Sequence, residues 1–180
     1  MKKQTLFDES VSRESTELQI SEIITSTIDS IRNFCTENSF TIEYRPPEQE
    51  QHVLANQDKL TQILKNLLFV VGKLTEEHGE ILVEQNLLKG KRHNDMTDYI
   101  QISIRACSMD ISKDMRELIL EKFHRLGDFL HIDPQETPLF EFSSTKAIIK
   151  RFGGNFWVKS EPGNGLIFNF TIPIITIIKK

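Results

Sequence analysis

Residues 151–173 read RFGGNFWVKSEPGNGLIFNFTIP. Gly153 follows a run of helix formers and is the natural place for a helix to stop, because glycine enters the left-handed conformation of a C-terminal cap at no steric cost. NFWVKSE and LIFNFTIPI then carry strand periodicity, and EPGNG between them has the composition of a hairpin turn. The stretch encodes a helix that ends and leads into a hairpin.

Moving upstream, SSTKAIIKRFGG (143–154) is the helix in question, with Ser143 or Ser144 as its N-cap. Before it, GDFLHIDPQETPLFEF (127–142) contains Pro134 and Pro138 and no clean period, which predicts a long loop. SKDMRELILEKF (112–123) predicts a short helix capped by Ser112. GEILVEQNLL (79–88) and DYIQISIRA (98–106) are apolar runs joined by the polar KGKRHNDMT, and together predict a second hairpin.

Further upstream, HVLANQDKLTQILKNLLFVVGKL (52–74) turns helical, with Asn56 or Gln57 before the first-turn acid Asp58. Its stripe of Leu60, Ile63, Leu64, Leu67, Leu68 and Val71 faces a core, and Gly72 and Gly79 bracket its exit. SFTIEYRP (39–46) alternates Phe40, Ile42 and Tyr44 with polar residues and stops at Pro46 and Pro47, which predicts a strand. From Leu18 to about Asn38, Ile20, Ile23, Ile24, Thr27, Ile28, Ile31 and Phe34 recur at helical spacing. Residues 1–17 form a polar tail, 18–173 one domain, and the β-prone IITIIKK (174–180) an extension that could pair with a sheet edge, including in a homodimer. The expected class is α+β, a two-layer sandwich with helices on one face of a mixed sheet.

Composition narrows the function. The 180 residues carry a net charge of −4, with no basic stripe of the kind that neutralises nucleic-acid phosphates, so no nucleic-acid partner is expected. No apolar run approaches the length of a membrane span and no signal-peptide core appears, which predicts a cytoplasmic chain. Cys35 and Cys107 lie far apart without a metal-binding pattern, and no metal is expected.

The order of elements and the wording GGNFWVKSEPGNGLIFNFTIP resemble the catalytic ATP-binding domain of sensor histidine kinases, which typically ends in a helix, GG, a strand and SEPGxGxxFxFxLP. LANQDKLTQILKNLLFVVGKLT is similar to that family's N-box helix, DxxRLxQVLxNLLxNAxKFT, and IQISIRACSMDISKDMRELILEKFHRL to its strand, DxGxGI box and FExF helix. The resemblance covers about Leu18 to Pro173 and implies the Bergerat ATP-binding fold.

The chemistry implied by the resemblance is interrupted. Aligning Asn66 and Lys73 with the N box puts Val70 where the family has a magnesium-coordinating asparagine, and valine offers no oxygen to a hard cation. ACSMDI puts Ala106 in place of the aspartate that accepts from the adenine amino group, with Ser108 and Asp110 in place of two glycines. Thr137, Leu139 and Glu141 fall at the glycines of the phosphate box. Three lost interactions of about 2 kcal/mol each would weaken ATP by roughly four decades. The expectation is therefore a degenerate domain without ATP or magnesium. The alternative is an ATP-binding catalytic domain that uses divergent residues.

The five histidines, His52, His78, His93, His124 and His131, all fall inside the ATPase-like region, so the phosphoacceptor of a histidine kinase is not among them. Such a domain is expected to bind a two-component partner, either a kinase hairpin or a response-regulator receiver. Its expected contact surface is the lid segment with Phe129, Leu130, Leu139, Phe140 and Phe142.

Overall fold

The computed structural model describes residues 16–49, 52–89, 98–107, 114, 117, 139–161 and 165–174. Its elements are β1 (Thr16–Gln19), α1 (Ile20–Ser30), α2 (Arg32–Glu37), β2 (Thr41–Arg45), β3 (His52–Ala55), α3 (Gln57–Leu74), β4 (Glu80–Leu88), β5 (Tyr99–Ala106), α4 (Leu139–Arg151), β6 (Phe156–Glu161) and β7 (Gly165–Pro173). Asp114 and Glu117, within the helix expected at 112–123, are helical.

Five strands form one sheet in the order β2-β4-β5-β7-β6. β2 runs parallel to β4 and the other pairs are antiparallel, so the sheet is mixed as expected. The closing hairpin pairs Phe156 with Phe170 through to Glu161 with Gly165. Gly153 and Gly165 hold φ of 75° and 70°, the left-handed region in which glycine avoids the penalty of a Cβ.

Strand alternation divides the sheet into two faces. Ile81 and Val83 of β4, Ile100, Ile102 and Ile104 of β5, and Phe168 and Phe170 of β7 point one way and merge with Leu60, Ile63, Leu64 and Leu67 of α3 into one continuous core. Each such side chain contributes about 1.5–3 kcal/mol on leaving water. The described helices all pack on this face, which makes the two-layer sandwich.

Three sequence expectations need correction. The helix expected from Leu18 to Asn38 begins at Ile20 and breaks at Ile31, whose φ and ψ are −110° and 11°. Ser26, Thr27 and Ser30 donate side-chain hydrogen bonds to carbonyls three or four residues back, an arrangement that bends helices. Leu18, with Thr16 and Glu17 of the expected tail, is instead in β1, which pairs antiparallel with β3 in a separate two-stranded sheet. His52–Ala55, expected to lead into a helix, is therefore a strand, and Asn56 caps α3 by accepting from the Lys59 amide at 3.0 Å.

The third correction is at α4, which starts at Leu139 rather than at a serine cap. Ser143 and Ser144 lie inside it, and the expected loop 127–142 loses its last four residues to its first turn. Of the C-terminal extension, Ile174 is described; its amide donates to the Asp98 carbonyl at 2.7 Å, and the expected edge pairing of the rest lies outside the described residues.

Candidate functional site

α3 and the end of β5 bring the N-box positions and Ala106 to the same side of the sheet. α3 buries Leu60, Ile63, Leu64, Leu67, Leu68, Val70 and Val71 along one face and leaves Gln62 and Lys73 exposed. Val70 is 0% exposed and belongs to the continuous core. Ala106, paired with Ile81 at the end of β5, is 0% exposed in the same core. The two positions at which the resemblance expects a metal ligand and an adenine acceptor are thus apolar and packed.

Asn66 keeps a polar role of another kind. It is half-buried, and its Nδ2 donates to the Thr145 hydroxyl of α4 at 3.3 Å, where Thr145 is fully buried. This bond ties the N-box helix to the helix before the closing hairpin. One turn and a half further on, Gly72 lies against Phe40 and Phe34, and Phe34 stacks edge-on with Phe40 and Phe69 at ring separations of 5.6 and 4.5 Å. An added Cβ at Gly72 would approach Phe40 to 2.6 Å, so the aromatic cluster selects glycine there.

Of the other expected site residues, Asp110, Phe129 and Leu130 lie outside the described residues. Leu139, Phe140 and Phe142 fall in α4. Asn66, Val70 and Lys73 are on α3 and Ala106 is at the end of β5; Val70 and Ala106 share the continuous core, whereas Lys73 is exposed. Cys107, next to Ala106, has its thiol pKa pushed up by burial and then by the Glu80 carboxylate. Cys35 is raised by burial. Among the described residues, no group of three or more His, Cys, Asp and Glu side chains is arranged to hold a metal ion.

Sequence inspection missed a polar feature at the opposite sheet edge. The Tyr44 hydroxyl lies 3.0 Å from Ser21 Oγ and 2.9 Å from Gln85 Oε1, at an open groove of about 640 Å³ between α1 and β2. Tyr44 read only as an inward strand residue, and nothing in local spacing connects it to Ser21 or Gln85. No described helix is long and apolar enough to cross a membrane.

Comparison with known proteins agrees with this geometry. Residues 55–176 match the family described as histidine kinase-, DNA gyrase B-, and HSP90-like ATPase. The adaptive-response sensory kinase SasA of Synechocystis sp. is 29% identical over 157 residues, 87% of this chain and 38% of that protein. The sensor histidine kinase WalK of Bacillus subtilis is 25% identical over 127 residues, 71% of this chain and 20% of that protein. The chain thus spans well under half the length of these curated relatives. The catalytic domain of histidine kinase ThkA superposes with a TM-score of 0.65 at 21% identity, covering 89% of this chain and 95% of that one. Full-length ShkA, solved in complex with AMPPNP, gives 0.67 at 20% identity, covering 91% and 32%. With the mixed sheet, the N-box helix and the closing hairpin in place, the chain belongs to the histidine kinase-, DNA gyrase B-, and HSP90-like ATPase family.

Proposed function

We propose that this histidine kinase-like domain binds neither ATP nor magnesium and acts in two-component signalling by contacting a protein partner, a kinase hairpin or a response-regulator receiver. One observation carries the reading: Val70 and Ala106, at the positions that the family uses for metal and adenine, are both 0% exposed members of the apolar core. Neither residue fits the group that the family implies. Magnesium demands oxygen ligands in near-octahedral geometry, and a methyl or isopropyl group supplies none.

The fold retains its core while the polar groups that would recognise a nucleotide are replaced, and fold alone does not specify chemistry. Lys73 stands exposed in the last turn of α3, where a cation already interacts favourably with the helix C-terminus without any phosphate. The contact surface we propose is the segment bearing Phe129, Leu130, Leu139, Phe140 and Phe142.

Isothermal calorimetry of the chain with ATP and ADP, with and without magnesium, tests this. No heat and no thermal stabilisation by millimolar nucleotide is the expected result. Saturable, magnesium-dependent heat would overturn the reading and establish the alternative, a catalytic domain that holds ATP with divergent residues.

A further inference from the structure

We draw no further inference here: the strongest candidate, the open groove between α1 and β2 lined by Ser21, Glu22, Thr25, Asp29 and Tyr44, carries none, because the buried amide behind it that lacks a hydrogen-bond partner among the described residues, Gln85 Nε2, does not line the groove, and nothing in the structure shows what would fill it.

Discussion

Arg105 and Ala106 are neighbours in the chain and lie on opposite faces of β5. Ala106 points into the continuous apolar core to which Val70 also belongs. Arg105 points outward into rows that hold Glu84, Ser103 and Asn169. In a nucleotide-binding relative the inner side at this strand end is where polar recognition is expected. Here Ala106 is enclosed by the apolar core and Arg105 stands on the outer side. Alternation makes neighbouring positions independent, so an apolar Ala106 facing inward and a charged Arg105 facing outward sit on one strand without disturbing the sheet.

The contrast can be broken most severely from the inside. Phe168→Ala removes a fully buried ring and is predicted to cost about 3–5 kcal/mol in urea unfolding. Next comes Val70→Asn, which places an amide in the same core. We predict a loss of about 1–3 kcal/mol from its unpaired groups, and no magnesium-dependent nucleotide binding, since Ala106 remains. Recovery of such binding by that single change would mean that the inner face is still a working pocket.

Asn66→Ala removes the bond to Thr145 and is predicted to cost about 1 kcal/mol. A double-mutant cycle with Thr145→Val checks that the two act through each other. On the outer face, Arg105→Ala is predicted to change monomer stability by no more than about 0.5 kcal/mol, because it deletes an unpaired group; a large loss would erase the distinction between the faces. The smallest effect is in reactivity. Burial raises the Cys35 and Cys107 thiols, so the protonated form persists to higher pH than in a free thiol. Stability from this source is full below the unfolded thiol pKa and declines as pH rises through the folded one. Alkylation at pH 8 should be slower for both cysteines in the folded chain than after unfolding in urea.

Much of the fold was legible in the sequence because long elements repeat their signal. Eighteen residues of α3 show their apolar stripe five times over, and the hairpin expected from NFWVKSE, EPGNG and LIFNFTIPI pairs β6 with β7. The short pieces were not. β1 and β3 are four residues each, and Val53 and Ala55 alternate inward over too few positions to outweigh the helix that follows them. The break at Ile31 depends on hydroxyls that bond back to carbonyls, which the apolar period does not register. At the candidate site, Val70 and Ala106 were picked out by the resemblance to the family's motifs. Their complete burial was not, and neither was the Asn66–Thr145 bond, which joins residues 79 positions apart.

The central claim is that the inner face at Val70 and Ala106 takes no nucleotide. The most direct measurement is a titration of the ¹⁵N-labelled chain with magnesium-ATP to millimolar excess, following the backbone amides of residues 66–73 and 104–107 by NMR. The account predicts that these resonances do not move. Saturable shifts confined to those two segments would contradict it and place a nucleotide against the face described here as closed.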